Sequence, residues 1–92
     1  MEIVPTPRKP IRLSLHASRY ATPRGFSLAE VELAIREADW QSTGRGSSLE
    51  CRKDYAFHAE WNQRFYATKT VRPIFVDEPD EIVVITVYTY YY

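Results

Sequence analysis

Two runs of β-branched and aromatic residues, 65–76 and 82–92, lie almost back to back and commit this chain to a sheet. Val71, Ile74, Val76, Ile82, Val83, Val84, Ile85 and Val87 suit a pleated surface, whereas in a helix branching at Cβ restricts their rotamers. Between the runs stands Asp77-Glu78-Pro79-Asp80-Glu81, which has no apolar side chain and reads as the turn of an antiparallel hairpin. With residues 77–81 as the turn, Val76 faces Ile82, Ile74 faces Val84, Arg72 faces Thr86 and Thr70 faces Tyr88. Phe75, Val83, Pro73, Ile85, Val71 and Val87 then share the other face, which is wholly apolar. A slip of one residue would exchange the faces and bury Arg72 unpaired, so this register is preferred. Its second face changes from Val76, Ile82, Ile74 and Val84 to Arg72, Thr86, Thr70, Tyr88 and Tyr90, a polar and aromatic patch. Pro73 cannot donate to a ladder, so its strand is expected to be an edge or to carry a bulge there.

An apolar sheet face needs a cover, and the chain supplies one. Ser27-Leu28-Ala29-Glu30 has the form of a capping box, Phe26 can staple onto Val31, and Leu28, Val31, Ile35 and Ala38 recur at helical spacing, which predicts a helix over 28–38. A brief helix over 17–22 is expected to stop before Pro23. Ile11, Leu13 and Leu15 alternate with polar residues, which fits a short strand or the lead-in to that helix. The three prolines of residues 1–10 make those residues an extended arm. Residues 42–48 hold two of the three glycines and read as a surface loop. The alternation of Leu49, Cys51, Tyr55 and Phe57 predicts a strand, with a connection over 58–63. At 92 residues the chain is long enough for one core but not two. The expected fold is therefore α+β: one or two N-terminal helices packed on one face of a twisted antiparallel sheet of three to four strands, in a single domain over 1–92.

Chemistry is constrained as much by what is missing. The net charge is zero, divided so that residues 1–25 are basic and residues 77–92 acidic. There is no phosphate-binding glycine motif, no Cys-x-x-Cys pair and no nucleophile elbow. The single cysteine, Cys51, has no internal partner and reads as a small core residue; Trp40, Trp61 and Phe65 also read as core. Asp54, His58 and Glu60 lack ligand spacing, so neither a metal nor another cofactor is expected. With no long apolar run and no leader pattern, the expectations are no membrane contact and a cytoplasmic address. One set of residues does suggest chemistry. His16 and Arg19 share a helical face, Arg24 follows, and Arg72, Thr86 and Tyr88 lie on the polar sheet face. An imidazole, several guanidiniums and two hydroxyls suit phosphate transesterification, which needs a base for the 2′-OH, cations for the phosphorane and an acid for the leaving oxygen.

The order His16-Ala17-x-Arg19, then Arg24-Gly25-Phe26-Ser27-x-x-x-Val31, then Val83-Val84-Ile85-Thr86-Val87-Tyr88 resembles a widespread family of small uncharacterised bacterial domains. These are similar to RelE and BrnT toxins, within the broader barnase, EndoU, colicin and RelE ribonuclease fold, and the likeness covers residues 11–90. It implies a RelE/BrnT-like ribonuclease or toxin domain that cleaves RNA without a metal, with His16, Arg19, Thr86 and Tyr88 as catalytic residues and Arg72 as the strand cation. Arg24, Thr70 and Tyr90 join them as substrate contacts. Two readings stay open beside it: a protein-binding module of the same fold without catalysis, and a nucleic-acid binder without catalysis. The partners to consider are RNA, an antitoxin or other small protein, and a second copy meeting the tyrosine-rich last strand.

Overall fold

The computed structural model describes residues 9–92; of the expected arm, residues 1–8 lie outside the described residues. The remainder is mostly strand, which corrects the expected α+β architecture of three to four antiparallel strands. Among the described residues six strands form one mixed sheet: β1 (Ile11–Leu13), β2 (Gln41–Ser42), β3 (Leu49–Glu50), β4 (Lys53–Trp61), β5 (Arg64–Asp77) and β6 (Ile82–Tyr91). Their order is β1-β6-β5-β3-β2, with β4 beside β5 in line with β3. The helices are short: α1 (Leu15–Arg19), α2 (Ala21–Arg24) and α3 (Leu28–Glu37). β1 pairs with β6 in parallel, Ile11 opposite Ile82, and all other pairings are antiparallel. The alternation of Ile11 and Leu13 belongs to a short strand that leads into α1, and nothing local states the direction of its partner.

The β5–β6 hairpin forms, with a register that differs from the expected one. Asp77 pairs with Ile82, Val76 with Val83 and Phe75 with Val84; a bulge then accommodates Ile85, so that Ile74 pairs with Thr86, Arg72 with Tyr88 and Thr70 with Tyr90. Arg72 is thus opposite Tyr88, not Thr86. The shorter turn places Val84 opposite Phe75 and in the core, where it is fully buried; the bulge then leaves Ile85 40% exposed and returns Thr86 and Tyr88 to the face of Arg72, so the sides expected for Val84 and Ile85 are reversed. The separation of faces along β5 stands: Val71, Pro73 and Phe75 are buried, while Arg72 and Ile74 look the other way.

Pro73 does not lie on an edge: β5 runs between β6 and the β3 and β4 strands, and the missing donor is felt on the β3–β4 side. β3 and β4 hold one register against β5, Glu50 opposite Ile74 and Lys53 opposite Val71, yet ladder geometry lapses between them. The gap lies beside Pro73, whose nitrogen carries no proton; Cys51 N still donates to Pro73 O at 3.5 Å. β4 also runs further than expected, through the segment read as a connection over 58–63. It closes on β5 by a two-residue turn, Asn62 (φ 50°) and Gln63 (φ 68°), in the twist-compatible backbone shape that strands prefer. A bulge between Ala56 and Ala59 includes His58 at φ 45°.

Helix α3 has the capping box: Ser27 Oγ accepts from Glu30 N at 3.1 Å and Glu30 Oε1 from Ser27 N at 2.9 Å. Its Val31, Ala34 and Ile35 are buried in one core cluster with Phe26, Val71, Phe75, Ile82, Val84 and Val87. Pro23 does not end the helical region; it sits in the first turn of α2, where amide protons have no intrahelical acceptor in any case. Trp40 closes one end of the core, its Nε1 donating to Ile35 O at 2.7 Å and its ring edge-on to Phe75. Phe65, expected in the core, is 64% exposed near the tip of the β4–β5 hairpin.

Burial raises the acidic groups Cys51, Tyr55 and Tyr91 on this side of the sheet. The Cys51 thiol is pushed up to about 11, chiefly by desolvation with Glu50 adding. Tyr55, whose hydroxyl donates to Glu30 O at 2.6 Å, is pushed up to about 12 by desolvation and then by Glu30 and Glu37. A group with a raised folded pKa contributes stability below its unfolded pKa and loses it as pH rises through the folded value. The urea midpoint is therefore expected to fall above about pH 8.5 as unfolded Cys51 ionises, and more steeply from about pH 10 as Tyr55 follows. A Cys51→Ala/Tyr55→Phe variant whose midpoint falls identically over pH 8–11 would assign the loss to other groups.

Candidate functional site

The face of the sheet turned away from α3 is open. Because β1 covers only Ile82–Val84, the outer edge of β6 is unpaired from Ile85 onward, and short polar groups close it. Ser14 Oγ donates to Ile85 O at 3.1 Å, and Arg24 Nη1 donates to Val87 O at 2.7 Å and to Thr86 Oγ1 at 3.2 Å. Arg24 is held at its other end too, since its carbonyl accepts from Thr89 Oγ1 at 2.6 Å and Tyr91 Oη at 2.9 Å.

Pinned in this way, the Arg24 guanidinium lies between two rings, 4.0 Å from the centroid of Tyr20 and 5.1 Å from that of Tyr88. Arg72, across the β5–β6 ladder, lies 5.6 Å from the Tyr88 ring. It donates to Tyr90 Oη at 3.2 Å, and Arg52 of the β3–β4 gap stands 5.8 Å from the Tyr90 ring. Tyr20, Arg24, Tyr88, Arg72, Tyr90 and Arg52 thereby form an alternating stripe of rings and guanidiniums. Arg72 is also paired with Glu50, Nη2 to Oε2 at 2.7 Å; this bond and the one to Tyr90 raise its pKa further. Arg24 and Arg52 form no ion pair among the described residues. Beside the stripe is a shallow hollow of about 420 Å³, walled by Arg72, Thr86 and Tyr88 on the sheet and by Thr43, Arg45 and Ser48 of the glycine-bearing loop.

Of the residues named from sequence, Arg24, Arg72, Thr86, Tyr88 and Tyr90 come together here. His16 joins at one remove: its ring packs on Tyr20 at 4.9 Å, and Tyr20 in turn covers Arg24. Arg19 is exposed on α1 and forms no ion pair or hydrogen bond with the stripe. Thr70 is not available to a ligand: it is fully buried, its hydroxyl donating to Asp54 Oδ1 at 2.5 Å and sharing a hydrogen bond with Tyr92 Oη. Tyr91 turns inward, stacked on Trp61 at 4.9 Å with Phe57 and Tyr66 around it. The last strand therefore shows aromatic surface outward through Tyr88, Tyr90 and Tyr92, not on both faces.

Sequence reasoning missed Tyr20, Glu50 and Arg52. The alternation of Glu50 and Arg52 with Cys51 carried the signal for two of them, since residues two apart on a strand share a face. Nothing local linked Tyr20 to the sheet. Among the described residues no group of three or more His, Cys, Asp or Glu side chains converges as a metal site, and no helix is long and apolar enough to cross a membrane. No family model, curated protein or solved structure matches this chain.

Proposed function

We propose that the stripe binds single-stranded RNA, with bases stacked on Tyr88 and Tyr90 and phosphates held by Arg24 and Arg52. The observation that carries this reading is the alternation itself: four guanidinium–ring contacts of 4.0–5.8 Å and the 3.2 Å Arg72–Tyr90 hydrogen bond run from the α1–α2 junction across the open sheet face. Every base has a π-face, and each stacked base contributes about 1–3 kcal/mol, while arginine adds charge and planar contact. Two phosphate contacts imply a shallow salt dependence, a log–log slope of about −1.4 for a single strand, in keeping with the neutral chain.

Fluorescence anisotropy with a labelled ten-nucleotide oligouridine tests it. Tyr88→Ala is expected to weaken binding about 10- to 100-fold, the loss of one stacked base, and Tyr88→Phe to change it little. Phe65→Ala, at the hairpin tip, serves as the control. Equal binding by wild type and Tyr88→Ala would overturn the reading. So would failure of wild type to bind, and a concentration-dependent mass in light scattering would then turn the stripe into a protein interface.

The ring contact of His16 with Tyr20 supports a second reading, in which the bound strand is also cut. His16 then takes the 2′-OH proton or protonates the leaving 5′ oxygen, while Arg24 and Arg72 stabilise the phosphorane charge. His16→Ala is expected to lower cleavage about 10²- to 10⁴-fold without loss of binding, and chelator to have no effect. RNA left intact from pH 5 to 9, with and without ribosomes, removes this reading together with the toxin role and the antitoxin partner it entails.

A further inference from the structure

A second hollow opens at the Arg52 end of the stripe, about 340 Å³ in volume, and its chemistry is mixed. That is the small end of the range of ligand sites. Arg52 and Arg72 line it together with Asp39, Gln41 and Glu50. Asp39 follows the end of α3, and the pairing of Gln41 with Glu50 across β2 and β3 sets those two side by side. Glu50 gives only Oε2 to Arg72, and Asp39 forms no ion pair among the described residues. Two carboxylates offset two guanidiniums, so the hollow suits a neutral polar group better than a phosphate. Tyr90, which accepts a hydrogen bond from Arg72 and lies against Arg52, supplies a ring at its margin.

We infer that this hollow receives one nucleobase of the bound strand and selects guanine, an inference that rests on the stripe's binding of RNA. Guanine has two adjacent donors, N1–H and the N2 amino group, that a single carboxylate accepts in parallel, and its O6 and N7 accept from a guanidinium. Adenine and cytosine place a ring-nitrogen acceptor beside their amino group, which a carboxylate oxygen repels. Uracil has one N–H between two carbonyls. Asp39, which forms no hydrogen bond or ion pair among the described residues, is the carboxylate assigned to the donor edge, and Arg72, the other guanidinium of the lining, is assigned to the acceptor edge, which leaves Arg52 to the phosphates.

The test uses the full chain and ten-nucleotide oligouridines with one central G, A, C or inosine. The G oligomer is expected to bind about 10- to 100-fold tighter than the A and C oligomers, the usual discrimination of a bidentate base contact. Inosine, which lacks the N2 amino group, should lose most of that advantage. Asp39→Asn should bring the four oligomers to within about threefold of one another, since an amide offers one acceptor where the carboxylate offered two. Equal affinities of wild type for all four oligomers would overturn the inference and leave RNA binding by the stripe in place. A guanine preference that survives Asp39→Asn would overturn it as well, while no binding of any oligomer would remove the stripe's proposed function itself.

Discussion

Gly25→Ala is expected to lower stability by about 2–4 kcal/mol, which for a chain of this size is a fall of roughly 10–25 °C in Tm. Gly25 caps α2 at φ +75°, ψ 44°, a left-handed conformation that costs an L side chain about 1 kcal/mol. The space is closed as well. A methyl group there would stand 2.6 and 2.8 Å from two ring carbons of Trp61 and would overlap the Tyr91 hydroxyl. Neither neighbour is free to retreat, because Tyr91 donates to Arg24 O and is stacked on Trp61, so the strain adds to the backbone term. Gly44→Ala provides the comparison. Gly44 has φ +80°, but a methyl group on it would meet nothing within 4 Å, so it should lose only the backbone term. If urea denaturation finds Gly25→Ala no worse than Gly44→Ala, the Trp61–Tyr91 roof does not bear on this turn. The functional consequence is direct, since the same turn fixes the carbonyl end of Arg24 and through it the guanidinium of the stripe.

Glu30→Ala is expected to cost about 3–5 kcal/mol, because one carboxylate does two jobs. Oε1 closes the capping box of α3 by accepting from Ser27 N, and Oε2 lies 2.6 Å from Lys69 Nζ. The Lys69 side chain is only 9% exposed, and without Glu30 it keeps one hydrogen-bond acceptor among the described residues, Gly25 O at 2.9 Å, and the face of the Phe57 ring at 5.5 Å. A buried ammonium stripped of its counter-ion carries most of the expected loss, with the cap adding about 1 kcal/mol. Lys69→Met should be milder, since Glu30 is more exposed and retains its bond to Ser27 N. The Glu30→Gln/Lys69→Met double variant should recover much of the stability lost by Glu30→Ala, as an amide can keep the cap and a methionine needs no charge partner. Additive losses in the cycle of Glu30→Gln, Lys69→Met and their double variant would show that the pair does not couple α3 to β5.

Some of this molecule was legible because its causes are local. A capping box is read from residues three apart, and Ser27 and Glu30 close it. The period of two along β5 put Arg72 and Phe75 on opposite faces whatever strand lay alongside. Arg72, Tyr88 and Tyr90 of the stripe were visible for the same reason, though not which of them would touch, whereas Tyr20 and Arg52 were missed. Other features depend on how segments far apart in sequence meet. A turn one residue shorter than expected moved Val84 into the core and a bulge then left Ile85 outside it, and both reflect which apolar side chains fit under α3, a comparison no local pattern contains. Pro73 announced a lost donor, but only the docking of β3 and β4 on that side of β5 decided that the gap would fall at Cys51–Arg52 and open a hollow there. The alternation of Ile11 and Leu13 allowed a short strand at β1, but only the edge that β6 offers decided that it pairs, and in parallel. Arg24 stood out from the sequence as a cation for a ligand. Its position between Tyr20 and Tyr88 was decided by the open edge of β6, whose unpaired Val87 carbonyl needed a donor and found it sixty-three residues away.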